Sequence, residues 1–477
     1  MIFFVKRFKS NLAIQLQKII LFCCAFLAVQ SAFCSVKVNS LVELLPYLKQ
    51  DNVDVKLAAG TYSISPVDIE KGIYGTTDFE DRAKILLQFS GNNSIYDFTG
   101  VTLTIETSVF NCFGTYRVHE LVVTGSHNVL KNLTMVDLGS EQDQPNKGAL
   151  GVCMDGRDNR VEGFHMTVKG SYPYGYGDAF GKGKRNVIRH FKHSAFLVRG
   201  LRNHAKNCHI IHRSYGHAIF MQAASYPTIE GCVVEGKMRS TDDILAETSG
   251  PAFDVDFKTI WGYKLPAGYM LSLGEAGIRA YDGGSTIIDG EIYKRGTDNP
   301  TVLNCTIKHM RTGVTLAHAT GKKYVKGCVA IGCENGYSLG SGEVVDCKAD
   351  CAYGPVYSST YERDRNYNAD ITIIPAEDEY CNGSGSVAYI GGSGHKVTLR
   401  GAAEALDQGL SIKVGGDKGN IRLLNGNFPN QNNVKGADFE LINRTDYPVI
   451  LSSKSSGVTV KSEGEVIDNG TDNRVIK

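Results

Sequence analysis

Short apolar segments, each led by a turn-forming residue, recur through the middle of the chain. They follow Asn207, Gly231, Asn304, Gly327 and Asp346, which lie 24, 73, 23 and 19 residues apart. A second, Gly-led row of strands begins about nine residues downstream, at 216–220, 313–317 and 336–340. Two short strands in each repeat of about 20–25 residues are typical of a parallel β-solenoid.

Five cysteines occupy one position of this repeat: Cys208, Cys232, Cys305, Cys328 and Cys347. Cysteine is small and readily buried, so we expect these side chains to stack as an inward ladder. Disulfides or a metal site are the alternative, with Cys347–Cys351 and Cys328–Cys333 as the pairs to check.

The Asn/Gly-Cys/Leu-x-Ile strands, each followed by a Gly-led strand, resemble the right-handed parallel β-helix of the pectate-lyase-like superfamily across residues 100–360. The resemblance implies an all-β solenoid over 35–366. Residues 40–48 predict a short amphipathic cap helix, and 367–477 predict further turns or a capping β-segment. The superfamily contains polysaccharide lyases, glycoside hydrolases, uronate epimerases and phage tailspikes, so the fold leaves the function open.

The 73-residue interval is about 50 residues longer than one repeat. The extra residues fall within 237–300, a segment rich in Asp, Glu, Tyr and Gly. Because a solenoid carries its insertions as loops on one face, often the binding face, we expect a long loop there.

Residues 1–34 have the pattern of a secretory signal peptide, with four cations ahead of an apolar run and small residues after it. The run is short for a membrane span, and bulky Phe33 disfavours a lipid anchor at Cys34. The sequence therefore predicts export to the periplasm, cell surface or exterior, with no transmembrane segment.

Without residues 1–34 the chain has 47 Lys and Arg against 50 Asp and Glu, a net charge of −3. Such a protein is not a general nucleic-acid binder. Yet residues 179–229 contain no acid, nine Lys or Arg and six His. This stretch predicts a stacked cationic surface that faces an anion such as a uronate or sulfated glycan, the alternative being a solvated charged face.

Cleavage of a uronate by β-elimination needs a cation for the carboxylate, a base and an acid. We assign Lys206 as the base, Arg213 as the neutralising cation and His212 or Tyr215 as the acid. His217 is a further candidate, although its repeat position also suits a buried, hydrogen-bonded core residue.

Substrate contacts are predicted for cations and aromatic side chains of the basic stretch, the insertion and the turn after it: Arg199, Arg202, His204, Arg239, Trp261, Tyr263, Arg279 and His318. Asp242 and Asp243 are the candidate metal ligands, for which Ca²⁺ is the expected ion. Glu275, Arg279 and Asp282 form a second charged set in the insertion.

These features predict an exported, monomeric enzyme that cleaves an acidic polysaccharide, as a lyase. Lyases of the superfamily that are similar to chondroitin B lyase pair a Lys with an Arg and often use Ca²⁺, but their motif does not map onto this chain residue by residue, so the resemblance concerns the fold. The alternatives are a glycoside hydrolase that uses carboxylates of the insertion, a uronate epimerase, and a glycan-binding solenoid without catalysis.

Overall fold

The turn residues of the repeat mark the points where the chain bends between two arms of one parallel sheet. Asn132, Asn207 and Asn304 have φ values of 59°, 51° and 51°, and Gly231 and Gly327 have φ values of 61° and 65°. This left-handed conformation is tolerated by Gly and, among other residues, best by Asn and Asp. The repeat of Asn, Gly and Asp in the sequence therefore records a bend in each turn of the coil.

The computed structural model describes residues 35–80, 82–139, 142, 148–170, 172–177, 179–182, 185–417 and 433–476. The candidate signal peptide, residues 1–34, lies outside these residues. Within them, no helix is long and apolar enough to span a membrane.

Sheet A, which carries both arms, has 23 strands. Its strands are Val36–Val38, Asp54–Leu57, Gly60–Ile64, Ile95–Asp97, Val101–Ile105, Val129–Lys131, Thr134–Asp137, Arg160–Glu162, His165–Val168, His204–Lys206, His209–His212, Thr228–Glu230, Val233–Glu235, Thr301–Leu303, Thr306–Lys308, Tyr324–Lys326, Val329–Ile331, Gly342–Ala349, Tyr367–Ile373, Lys396–Gly401, Glu440–Arg444, Thr459–Ser462 and Arg474–Ile476.

Sheet B forms the other wall of the coil and has 14 strands. They are Thr76–Thr77, Ala83–Phe89, Arg117–Val123, Gly148–Met154, Lys192–Leu201, Ile219–Ser225, Ala276–Ala280, Thr312–Thr315, Tyr337–Ser338, Tyr357–Ser359, Ser386–Ile390, Ser411–Val414, Val449–Leu451 and Val466–Asp468. Only its first pair is antiparallel among the described strands. The predicted right-handed parallel β-helix is confirmed.

Short helices and accessory strands decorate the two sheets. The α-helices are Leu41–Leu44, Pro66–Glu70, Thr241–Leu245 and Pro251–Asp254, and the 3₁₀ helices are Tyr47–Lys49, Thr107–Asn111 and Leu406–Gln408. The accessory strands are Gly181–Lys182 with Arg185–Asn186, Met238–Ser240 with Met270–Ser272, Ser285–Ile288 with Glu291–Lys294, Gly416–Asp417 with Asn433–Val434, and Gly392–Ser393 with Gly436–Ala437 and Ser455–Ser456. Strands of both sheets continue through the tail after residue 366.

The five cysteines of the repeat are buried inside the coil as free thiols. The backbone N–H of Cys305 donates to Sγ of Cys328 at 3.4 Å, which places the two thiols on successive turns. Cys333 and Cys351 are also free. The stack is therefore a packing ladder of small side chains, and the alternative of disulfides among the described cysteines is wrong.

The long interval between repeats contains two excursions and not one loop. Residues 236–275 leave the coil after Val233–Glu235, and the chain then returns to add the regular strand Ala276–Ala280 to sheet B. A second excursion, the hairpin of Ser285–Ile288 and Glu291–Lys294, precedes the next strand of sheet A. Strand Ala276–Ala280 brings Glu275 and Arg279 onto the body of the solenoid.

A ladder of buried asparagines ties successive turns together at another corner. Oδ1 of Asn203 accepts the backbone N–H of Asn159 at 2.8 Å, and Oδ1 of Asn159 accepts that of Asn128 at 2.9 Å. Nδ2 of Asn159 donates to the carbonyls of Gly125 and Asp155. Each amide thus satisfies backbone groups of neighbouring turns that water cannot reach.

We expect Asn159→Ala to lower the free energy of unfolding by roughly 2–4 kcal/mol, because it leaves one buried N–H and two carbonyls short of partners. Urea unfolding followed by circular dichroism measures the change. Thr134→Ala, on the outer side of sheet A, is the matched control and should change the value by about 0.5 kcal/mol or less. Equal effects of the two substitutions would contradict the ladder's role.

Candidate active site

Acids from neighbouring turns compensate several cations of the acid-free stretch. In a solenoid, a residue lies beside the residues one turn earlier and one turn later. Nζ of Lys206 lies 3.8 Å from Oε1 of Glu230, and Nε2 of His204 lies 3.0 Å from the other oxygen of that carboxylate. Arg202 binds Asp158 through two hydrogen bonds of 2.7 Å. The predicted continuous cationic surface is therefore not formed by these residues.

The structure does not bring the sequence-predicted catalytic residues together in one site. Lys206 ends a strand of sheet A, whereas His217 precedes a strand of sheet B. Arg213 donates from Nη1 to the carbonyls of Glu235 and Gly236, and burial lowers its pKa. His212 is fully buried, and burial lowers its pKa to about 3. His212 is thus a neutral core residue without access to a substrate.

Arg199 lies beneath the hairpin that follows strand Ala276–Ala280 and helps to hold it in place. Its Nη1 lies 3.5 Å from Oδ2 of buried Asp155, whose Oδ1 accepts a hydrogen bond of 2.6 Å from Thr286 of the hairpin. A guanidinium placed under a loop in this way cannot reach a polysaccharide.

The first excursion has its own small core, which occupies several predicted binding residues. Arg239 contacts Glu247 at 2.5 Å and donates to the carbonyl of Gly175 at 3.0 Å. Trp261 and Tyr263 stack at 6.1 Å between ring centroids, and Trp261 packs against this core. These contacts hold the excursion to the loop that precedes strand Lys192–Leu201.

Asp242 caps the excursion's backbone: its two oxygens accept the N–H of Gly268 at 3.2 and 3.0 Å. Asp242 and Asp243 lie in the first turn of helix Thr241–Leu245. No group of three or more His, Cys, Asp or Glu in the described part of the chain could hold a metal ion. The role of Asp242 and Asp243 as Ca²⁺ ligands therefore stays a prediction.

Among the described residues, the buried carboxylate of Glu275 is the centre of a cluster that brings several of the predicted residues together. Nζ of Lys192 contacts its Oε2, Nε2 of His217 lies 3.1 Å from the same oxygen, and Nη1 of Arg311 lies 4.0 Å from Oε1. Burial favours the neutral acid, but the positive charges of Lys192 and Arg279 outweigh it and hold the pKa of Glu275 well below its usual range. Glu275 is therefore an anion inside the protein.

His217 is neutral, and its hydrogen bonds identify the tautomer. Its Nδ1 accepts the backbone N–H of Ala276 at 3.2 Å, so the ring proton lies on Nε2. Nε2 is 2.6 Å from the hydroxyl oxygen of Tyr281. Burial holds the pKa of His217 well below its usual value. Nε2–H of His217 therefore faces two acceptors, the hydroxyl oxygen of Tyr281 and Oε2 of Glu275.

Gly216 makes this placement of His217 possible. It has a φ of 150°, and a Cβ at this position would lie 2.3 Å from the carbonyl oxygen of His193 on the preceding turn. Any other residue would push the two turns apart just before His217.

Tyr281, Arg279 and His318 form the half-exposed side of the cluster. The Arg279 guanidinium lies 4.5 Å from the centroid of the Tyr281 ring. Its buried Nε has no hydrogen-bond partner among the described residues. Burial and the charge of Glu275 raise the pKa of Tyr281 above its usual range, so the phenol is protonated at neutral pH.

His318 lies on the next turn and is 30% exposed, with Nδ1 3.6 Å from Oδ2 of Asp282. Burial and then Arg279 lower the pKa of His318, whereas Asp282 raises it. The imidazole is therefore neutral near pH 7 and has a nitrogen that can accept a proton. Tyr281, Arg279 and His318 thus combine a protonated phenol, a cation and a neutral base.

Tyr215 lies at the edge of this cluster. It is buried, its ring lies edge-on to that of His190 with 5.3 Å between the centroids, and Nζ of Lys192 is 5.1 Å from its centroid. Of the sequence-predicted residues, His217, Tyr215, Arg279 and His318 thus lie in or beside the Glu275 cluster. From the sequence, Lys192 and Glu275 could be recognised only as members of larger sets of charged residues. No sequence feature distinguished Tyr281 or Arg311.

Below the cluster, a second buried charge group lies inside the coil. His193 Nε2 is 2.9 Å from Oε1 of Glu120, and its Nδ1 is 3.1 Å from Oδ2 of Asp137. Burial opposes the charged imidazole, but Asp137 and Glu120 outweigh it and raise the pKa of His193 to about 10. This fully enclosed group stabilises the start of strand Lys192–Leu201 and does not contact a substrate.

No protein-family model matches the chain, and no curated protein matches its sequence. Solved structures similar to it include a mannuronic acid specific polysaccharide family 6 lyase from human gut microbiota, with 10% identity over 93% of this chain and 83% of that one and a TM-score of 0.46. The Azotobacter vinelandii mannuronan C-5 epimerase AlgE6 A-module covers 89% and 90% at 10% identity, with a TM-score of 0.35. PfbA, a surface adhesin of Streptococcus pneumoniae, covers 92% and 91% at 9% identity, with a TM-score of 0.37. Similarity at this level does not define a substrate or a reaction.

We expect Glu275→Gln to destabilise the protein by about 3–5 kcal/mol, because it removes the anion that compensates Lys192 and Arg311 in a buried setting. Urea unfolding at neutral pH measures this loss. Glu343→Gln is the control, since that carboxylate is exposed and its 3.8 Å pair with Lys322 should contribute about 1 kcal/mol or less. A loss below about 1 kcal/mol for Glu275→Gln would contradict the central role of this carboxylate.

Proposed function

We propose that this protein is an exported carbohydrate-active enzyme that cleaves an acidic polysaccharide by β-elimination. The observation that carries the proposal is the half-exposed group of Tyr281, Arg279 and His318. A protonated phenol, a half-exposed guanidinium and a neutral imidazole are the three functions that elimination from a uronate requires.

In the proposed reaction, Arg279 binds the carboxylate of the uronate and stabilises the negative charge that develops on it. His318 takes the proton from the carbon next to that carboxylate. The electron pair forms a carbon–carbon double bond as the glycosidic carbon–oxygen bond breaks, and the leaving oxygen takes the proton of Tyr281. Nε2–H of His217 then stabilises the phenolate until water returns a proton.

The buried residues set the protonation states of the reacting ones. Asp282 beside Nδ1 of His318 favours a proton on that nitrogen and leaves the other nitrogen as the base. Glu275 holds Lys192 and His217 in place, and burial together with the charge of Glu275 keeps Tyr281 protonated. The base and cation are therefore His318 and Arg279 in place of Lys206 and Arg213. The proposed steps involve only side chains of this chain.

We expect Tyr281→Phe to lower kcat by about 10²- to 10⁴-fold, because the leaving oxygen loses its proton donor. The substrates are alginate, pectate, glycosaminoglycans and sulfated algal galactans. Ultraviolet absorbance reports the unsaturated uronate, and a reducing-end assay is read in parallel. Tyr226→Phe is the control, since Tyr226 is 57% exposed.

Three outcomes would contradict the lyase proposal: full activity in Tyr281→Phe, new reducing ends without unsaturation, or loss of activity in Lys206→Ala with full activity in His318→Ala. The second outcome would support a hydrolase. A change in the uronate composition of an uncleaved polymer, read by nuclear magnetic resonance, would indicate an epimerase.

A base must be neutral to act, so kcat/KM should rise with pH through the pKa of His318. Because burial and Arg279 lower that pKa, the acid limb should lie below the value of about 6.5 for an ordinary histidine. Asp282 raises the pKa, so Asp282→Asn should move the limb to still lower pH. Asp407→Asn, at an exposed site in the tail, should leave it unchanged. An upward shift in Asp282→Asn would exclude His318 as the base.

A further inference from the structure

A groove continues from His318 along the following turns of the solenoid. It encloses about 300 Å³, the lower end of the range for ligand sites. Its lining residues are Ala317, Lys323, Gly340, Ser341, Arg363, Asp364, Arg365 and Asn366. Ala317 directly precedes His318, so the groove and the proposed base share a turn.

The groove is cationic. Arg363 and Arg365 are exposed, and Lys323 is 3% exposed. Nζ of Lys323 donates to the carbonyl of Leu339 at 2.7 Å, and burial lowers the pKa of this lysine to about 8. Because Lys323 is buried in the wall of the groove, water screens its positive charge only partly.

Asp364, the acid among the lining residues, accepts hydrogen bonds from a backbone N–H and a hydroxyl group. Its Oδ2 accepts from Oγ of Ser359 at 2.9 Å and from the N–H of Tyr361 at 3.2 Å. Burial raises the pKa of Asp364. This carboxylate orders the loop that carries the two arginines and offsets part of the positive charge of Arg363 and Lys323.

Neighbouring residues position both Arg363 and Arg365, and most of their N–H donors remain available to bind a ligand. The guanidinium of Arg363 lies 4.9 Å from the centroid of the Tyr361 ring, a contact with the face of the group. Arg365 uses Nη1 to donate to Oγ of Ser393 at 3.1 Å. A guanidinium has five N–H donors, so each can still bind an oxyanion with two of them.

The groove is close enough to the proposed base for their charges to interact, because the charge of Arg363 contributes to lowering the pKa of His318. A polysaccharide that presents one acid to Arg279 presents further acids along its length. We infer that the groove binds a second acidic group of the same chain, a carboxylate or a sulfate ester, through Arg363 and Arg365. This inference rests on the proposed function and names its extended subsite.

The test separates binding from catalysis by using Tyr281→Phe as the starting protein. Isothermal titration calorimetry measures binding of an oligogalacturonate tetramer, which carries only carboxylates, and of a κ-carrageenan oligosaccharide, which carries only sulfates. A neutral xylo-oligosaccharide of equal length is the ligand control. Arg363→Ala/Arg365→Ala is then added to the same background, with Lys322→Ala as the matched control because Lys322 pairs with Glu343 outside the groove.

We expect the double substitution to weaken binding of one anionic probe by about tenfold or more, while Lys322→Ala changes it by less than about twofold. The probe that responds identifies the acid as carboxylate or sulfate. In the otherwise native enzyme, assayed well above the pKa of His318, the double substitution should raise KM for long chains and leave kcat within about twofold.

If the double substitution weakens binding of neither probe, the subsite is overturned, and failure of both probes to bind would overturn it as well. Neither result depends on turnover. If Arg363 and Arg365 govern binding but no unsaturated product forms from any polymer, the subsite stands and the proposed lyase reaction fails.

Discussion

The candidate site depends on the compensation of one buried anion, Glu275, by groups from successive turns of the coil. Lys192 begins one strand of sheet B, His217 precedes the next, Glu275 itself precedes the third, and Arg311 precedes the fourth. A buried carboxylate without such partners would be strongly disfavoured. The partners of Glu275 therefore fix the register of four successive turns relative to one another. Tyr281 and Arg279 reach the surface at this place.

This arrangement explains how a solenoid can hold reactive groups rigidly without a conventional pocket. Backbone hydrogen bonds align neighbouring strands, the asparagine and cysteine ladders align the corners, and the charge network aligns the site. The two excursions cover the flanks: one packs its own apolar core beside strand Lys192–Leu201, and the other covers Arg199 and Asp155. Preorganised groups of this kind need little rearrangement during a reaction.

Part of the candidate site could be predicted from the sequence, and the rest could not. Histidine and arginine in an acid-free stretch and a charged set near Glu275 indicated anion chemistry, and His217, Arg279 and His318 do lie together. Lys206 and Arg213 have equally suitable side chains, but their turn-to-turn neighbours are Glu230 and the carbonyls of Glu235 and Gly236. Those neighbours are 22 to 24 residues away along the chain, so local composition does not reveal them.

The sequence alone determined the solenoid, because its periodic Asn, Gly and Asp residues supply the left-handed bends and its apolar positions supply the inward faces. It also determined the cysteine ladder, which follows from one position in the repeat. Only the tertiary structure decided which charges are compensated and which are available. Ion pairing in a coil depends on register between turns, and the two excursions within the 73-residue interval place Glu275, Arg279 and Tyr281 where no regular repeat would predict them.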